Sequence, residues 1–289
     1  MVGKEETMTS RPGSFTRLSA WLALTVLTAT VCRGATLKDV KSVDSERPGG
    51  KRAEIMSGSF SGMVVPLFLP PAVVRSWLPP GLQLASECPY KSHPVIVMFG
   101  SIDDLAREKL VTVKPRFGRH FLETFVAVPY LRLEAAPRSG PVFHFVRVYT
   151  DSLKGTTKGI RQSGWPKIYT PIATTDETYR IMPEGAGTVL GAQMDYARLK
   201  PVDTGNHSLR QIEAMLAQPL VLRHEGVYNL YTFDFHFQKA TLTSMPVTLE
   251  IREGFMPQLA PMKGKMPGIA DSDFGAFHLA CRYTKAARE

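Results

Sequence analysis

The sharpest pattern in the chain lies within residues 228–238, where Tyr231, Phe233, Phe235 and Phe237 fall on one side and Thr232, Asp234, His236 and Gln238 on the other. A period of two residues is the mark of a half-buried strand. Runs rich in β-branched and aromatic residues extend the same expectation to residues 121–133, 142–149, 188–194, 247–251 and 276–283. Helical spacing is rarer. Val74, Trp77 and Leu78 share a face over residues 71–78 and Pro79-Pro80-Gly81 stops them. Leu209, Ile212 and Leu216 share another over residues 209–217, where Ser208 and Gln211 stand at the spacing of a capping box. Many strands, few helices and no regular strand–helix alternation predict a mainly β fold with minor α. That favours an antiparallel sheet or barrel with a filled or ligand-holding interior over a doubly wound sheet. One domain, residues 55–289, accommodates it.

The N-terminal part follows different rules. Residues 1–19 are polar and basic, residues 20–31 form an apolar run, and Cys32-Arg33-Gly34 offers small residues for cleavage, so residues 1–34 read as a secretory signal. The apolar run is too short for an ordinary membrane span. No stable membrane span is expected once the leader is removed, and the mature chain is expected in the secretory pathway or outside the cell. Residues 35–54 are polar, contain Pro48-Gly49-Gly50, and read as a linker. Removal of the leader takes Cys32 with it. Cys88 and Cys281 remain, either as a disulfide or as two separately buried thiols. Asn206-His207-Ser208 is a glycosylation triplet.

Charge narrows the partners. The net charge is +9, but nine basic against five acidic residues within residues 1–52 account for +4 of it. No basic run interleaved with aromatics follows, which argues against nucleic acid as a partner. The chain also lacks a Gly-rich phosphate loop, a Walker sequence, HExxH, CxxC and Gly-x-Ser-x-Gly. The seven histidines are scattered, and His144, His236 and His278 sit in strand-like runs where a hydrogen-bonded structural role is the simpler one. Neither a metal nor a cofactor is expected.

One segment carries specific chemistry. Val148-Tyr149-Thr150-Asp151 leads to Gly159-Ile160-Arg161-Gln162-Ser163-Gly164-Trp165-Pro166-Lys167. This resembles acetoacetate decarboxylase, a family in which a strand ending in Tyr-x-Asp leads, over the same spacing, to an aromatic-Pro-Lys whose lysine forms an imine. Phe121-Leu122-Glu123-Thr124 and the apolar run after it resemble the family segment that carries a catalytic glutamate. More diffusely, residues 64–82 resemble the family's early strand, helix and Pro-rich turn. The likeness is loose over residues 55–283 and close for about 20 residues around Lys167.

The resemblance implies an acetoacetate decarboxylase-like β-barrel or cone with a few short helices. It makes Lys167 the Schiff-base nucleophile, assigns proton transfer or substrate orientation to Glu123, and implies a small keto-acid substrate and homo-oligomers. Nucleophilic attack needs a neutral amine, and apolar surroundings favour that form of a lysine; acetoacetate decarboxylase is itself the standard instance. Trp165, Ile168 and Tyr169 are the expected pocket walls, and Phe121, Phe125 and Ala127 are apolar same-face neighbours of Glu123. Departures from the family pattern are equally specific: Arg161 stands where an acid is usual and Ile168 where a second lysine is common. The early strand near residues 59–65 has no arginine, and Gly100 lies near the position of a second glutamate. Three outcomes follow: decarboxylation of a β-keto acid; the same imine used for aldol condensation, dehydration or isomerisation; or a binding barrel without catalysis.

Overall fold

The computed structural model describes residues 55–108, 120–137, 140–157, 164–202, 207–224, 226–234, 241–273 and 277–282. The expected leader, linker and glycosylation site at Asn206 lie outside them, as do residues 235–238 of the alternating strand. In chain order the elements are β1 (Ile55–Leu69), α1 (Pro71–Arg75), β2 (Leu82–Leu84), β3 (His93–Glu108), β4 (His120–Leu133) and β5 (Val142–Thr150). A helical turn α2 (residues 153–157) precedes β6 (Lys167–Tyr169), β7 (Ile172–Thr174), β8 (Thr178–Ile181), β9 (Leu190–Met194) and β10 (Lys200–Pro201). Then come α3 (His207–Leu216), β11 (Leu220–His224), β12 (Val227–Asp234), β13 (Thr241–Ile251), β14 (Met262–Asp273) and β15 (Phe277–Arg282).

Strand β1 pairs β3, and the ladder continues through β4, β5, β11, β12 and β15, which pairs β1 again. These seven strands therefore form a closed cycle of ladders. A second run, β14-β13-β9-β8-β7, leaves β1 where Met63 and Val64 face Ala270 and Ile269. The mainly β expectation with a few short helices holds, and nearly all pairs are antiparallel. The exceptions lie on β5, which pairs β11 and β6 in parallel. A parallel neighbour needs a crossover of a dozen or more residues. Residues 151–166 provide one, and it delivers Lys167 to the edge of β5.

Both faces of the central strands are covered, which is why β4 is buried almost throughout instead of alternating. On β4, Phe121, Phe125 and Ala127 join a core capped by Leu209, Ile212, Met215 and Leu216 of α3. Val126 and Val128 join the other core, which receives Tyr179, Leu190, Ala192, Val247 and Leu249 from the second run of strands. Burial of the expected helix faces follows this division: Val74 is buried on α1, and Leu209, Ile212 and Leu216 on α3.

Two expectations are corrected. Helix α3 begins at His207, so Ser208 is already a helical residue and the Ser208–Gln211 capping box does not start it. Of the two alternatives left open for Cys88 and Cys281, the structure shows Cys88 as a free thiol. Cys88 follows β2, which is attached to β4, whereas Cys281 sits in β15 opposite Tyr231 with β12, β11 and β5 intervening. A disulfide needs Cα atoms within about 7 Å. The second correction, at Ile168 and Tyr169, belongs with the site.

Candidate active site

Strand register brings Lys167 and Glu123 together. Glu123 on β4 faces Thr150 on β5, and Lys167 on β6 faces Val148 on the other edge of β5. The two residues are thus two strands apart and offset along a diagonal, roughly 10 Å between backbones at ordinary sheet spacing. Long side chains can bridge that span across the shorter Val148 and Thr150. The Lys167 Nζ donates to Glu123 Oε1, with the lysine side chain 9% and the glutamate side chain 3% exposed.

The approach to Lys167 is fixed by backbone contacts. Gly164 has φ of +68°, and a Cβ there would lie 2.2 Å from the carbonyl oxygen of Arg223 on β11. Only glycine lets the loop lie that close. The Val148 N–H then donates to the Pro166 carbonyl, 2.9 Å away, and β6 begins.

Aromatic rings wall the pair. The Lys167 Nζ lies 5.7 Å from the Phe121 ring centroid and 5.6 Å from that of Trp165, within cation–π range. Trp165 in turn stacks on Phe145 at 5.3 Å and meets Phe125 edge-on at 6.3 Å. Trp165 therefore stands against the lysine nitrogen, the place a pocket wall would take. Ile168 and Tyr169 do not: they are 39% and 51% exposed, because β6 is a three-residue strand with only one paired edge.

Burial pushes the Glu123 carboxyl above the ordinary glutamate range, since ionising it in an apolar surround is costly. Lys167 and the Thr150 hydroxyl pull it back, while the nearby Asp151 carboxylate pushes it further up. Asp151 itself is held by the Leu122 N–H at 2.8 Å and donates its own N–H to the Leu122 carbonyl at 3.2 Å, extending the β4–β5 ladder beyond Glu123. Beside Glu123 on β3 stands Gly100, opposite Gly62 of β1. A Cβ on Gly100 would fall 2.1 Å from the Ser61 carbonyl oxygen, so the strands approach too closely there for any side chain, a glutamate included.

His144, expected to be structural, is buried with Nδ1 2.7 Å from the Val221 carbonyl oxygen, and burial lowers its pKa to about 4. Among the described residues no group of three or more His, Cys, Asp or Glu side chains could hold a metal ion, and no helix is long and apolar enough to cross a membrane. Thr150 and Asp151 were not singled out from sequence as site residues. Both lie inside the Tyr-x-Asp motif, but their partners on β4 become visible only with the register.

No family model matches the chain, and no curated protein matches it by sequence. Solved structures do. The enduracididine biosynthesis enzyme MppR, complexed with pyruvate, superposes with a TM-score of 0.52 at 14% identity over 83% of this chain and 95% of its own. Acetoacetate decarboxylase from Legionella pneumophila gives 0.50 at 14% identity, over 84% and 93% respectively. An acetoacetate decarboxylase-like enzyme from Sphingomonas wittichii RW1 gives 0.50 at 11% identity, over 82% and 95%. Superposition and chain coverage agree: this chain has the acetoacetate decarboxylase-like fold.

Proposed function

We propose that the chain is an enzyme that joins Lys167 to the carbonyl carbon of a small keto acid as a Schiff base, and that it decarboxylates a β-keto acid through the resulting enamine. The observation that carries this reading is the buried Lys167–Glu123 pair inside aromatic walls. Burying two charges costs several kcal/mol per ion before their attraction is counted, and apolar residues of like volume are often as stable or more so. A pair retained there is best explained by chemistry.

In the first step Glu123 accepts the proton that Lys167 must lose, and the nitrogen attacks the ketone carbon. Returning that proton to the carbinolamine hydroxyl releases water and leaves the iminium. The bond to the carboxylate then breaks, its electron pair forming the enamine double bond while carbon dioxide departs. Protonation at carbon and addition of water release the ketone and restore the amine. The aromatic walls and the Glu123 carboxylate both disfavour a substrate carboxylate beside the iminium, which favours its loss as a neutral gas.

A second reading keeps the imine and spends the enamine on condensation. MppR has been solved with the condensation product of pyruvate and imidazole 4-carboxaldehyde, at a TM-score of 0.51 to this chain. The two readings separate on one assay. Acetoacetate or a longer β-keto acid should release carbon dioxide and ketone with the wild-type protein and not with Lys167→Ala. Carbon–carbon bond formation from pyruvate and an aldehyde, without carbon dioxide release from any β-keto acid, selects the second. Turnover of neither overturns both. Secretion, on the strength of the leader expected over residues 1–34, is part of the same proposal; N-terminal sequencing of the mature protein should begin near Ala35.

A further inference from the structure

Thr150 is buried and faces Glu123 across the β4–β5 ladder, its side chain on the same side of the sheet. Its hydroxyl is oriented from behind. The Ser152 N–H donates to Thr150 Oγ1 at 3.1 Å, occupying a lone pair and leaving the O–H to donate to Glu123. Its backbone looks the other way: the Thr150 carbonyl accepts the Thr170 N–H at 2.9 Å, continuing the ladder to the strand that bears Lys167. One residue therefore stands opposite one partner and is hydrogen-bonded to the strand of the other.

We propose that Thr150 is a positioning residue for the Lys167–Glu123 pair, holding the Glu123 carboxylate at the nitrogen when imine formation removes the ion pair that otherwise holds it. The proposal rests on the Schiff-base reading. In the resting pair Glu123 accepts from Lys167, with the Thr150 hydroxyl opposite it on β5. Once the nitrogen has passed its proton to Glu123 and attacked the carbonyl, the ion pair is gone and the Thr150 hydroxyl remains. Without it, a glutamate with several rotatable bonds is free to swing before it returns its proton, and misplacement by about 1 Å can cost about a hundredfold in rate.

The charged and titratable groups beside Glu123 are Lys167 from β6 and Asp151 from the end of β5; Tyr179 of β8, whose phenol is pushed up in part by Glu123, lies on the opposite face of the sheet, hydrogen-bonded to Thr124. Thr150→Val keeps the shape and removes only the hydroxyl; Thr150→Ser keeps the hydroxyl. The test has two arms, both on the full chain: borohydride trapping rates with acetoacetate across pH, and titration of the Glu123 carboxyl by infrared difference spectroscopy against Glu123→Gln. Thr150→Val should trap 10- to 100-fold more slowly and titrate Glu123 at higher pH than wild type, and Thr150→Ser should restore most of both. Wild-type trapping and titration in a folded Thr150→Val protein would overturn the assignment while leaving the Schiff base intact. If the wild-type protein traps nothing, the Schiff-base reading fails, and the carboxyl titration still decides whether Thr150 holds Glu123.

Discussion

Glu123 and Thr124 are neighbours on one strand, and they show two ways of burying polarity on opposite faces of the same sheet. Thr124 is satisfied by a neutral partner, its hydroxyl donating to Tyr179 Oη at 3.0 Å. Close by on that face, Arg147 and Tyr149 both donate to the Phe255 carbonyl, pinning the turn after β13. Such bonds hold a core together and each contributes on the order of 1 kcal/mol. Glu123, one residue earlier, meets Lys167 as an ion pair among aromatic rings. The first face places its polarity in hydrogen bonds to neutral acceptors, its cation Arg147 being only part-buried. The second tolerates charge where charge is expensive, and that difference is the ground for placing the proposed imine chemistry on this face.

The largest effect should come from halving the ion pair. Lys167→Met leaves Glu123 buried without its cation and should lower stability by about 3–5 kcal/mol at pH 8, read from urea unfolding. Combining it with Glu123→Gln should recover most of that loss. If the single and double variants are equally unstable, Lys167 acts through packing and the two faces do not differ as argued.

The buried ionisable groups should next give opposite pH slopes. His144 in the folded chain binds its proton only near pH 4 instead of near 6.5, so the unfolded chain takes up more protons between those values. Stability should fall by about 3 kcal/mol as pH drops through that window, and His144→Gln should flatten the slope. Glu123 has the reverse sign. Its raised pKa means that the folded chain binds the extra proton, so its contribution declines as pH rises above the ordinary glutamate value of 4.5.

A smaller loss, about 2 kcal/mol, is expected for Gly100→Ala, because the added Cβ meets the Ser61 carbonyl 2.1 Å away and must part β1 from β3 beside Glu123. The smallest is on the neutral face: Tyr179→Phe should cost about 1 kcal/mol, with the Thr124→Val/Tyr179→Phe double variant costing less than the sum of the singles. A loss comparable to that at Lys167 would erase the contrast between the faces.

Much of the fold could be read from the chain before any coordinates. The predicted runs at 121–133, 142–149 and 276–283 match β4, β5 and β15 to within a residue or two, because β-branched and aromatic composition is strong there. Lys167 and Glu123 were also legible, through local motifs and the apolar positions flanking Glu123. What stayed hidden depends on non-local geometry. The parallel crossover from β5 to β6 decides which side chains face Lys167, so Ile168 and Tyr169 looked like walls from sequence proximity while Phe145, more than twenty residues earlier, backs Trp165. Thr150 gains its meaning only from standing opposite Glu123. Gly100, where a glutamate would fit the family pattern, looked like a missing functional group; the structure shows a place where two backbones leave no room for a side chain.

The central claim is that Lys167 forms an imine, and it is tested most directly by reducing the protein with borohydride in the presence of acetoacetate or pyruvate and mapping the added mass by peptide sequencing. A substrate-dependent adduct on the Lys167 peptide, absent in Lys167→Ala and slowed in Glu123→Gln, is the predicted result. An adduct on another lysine, or none with any keto acid, would contradict it.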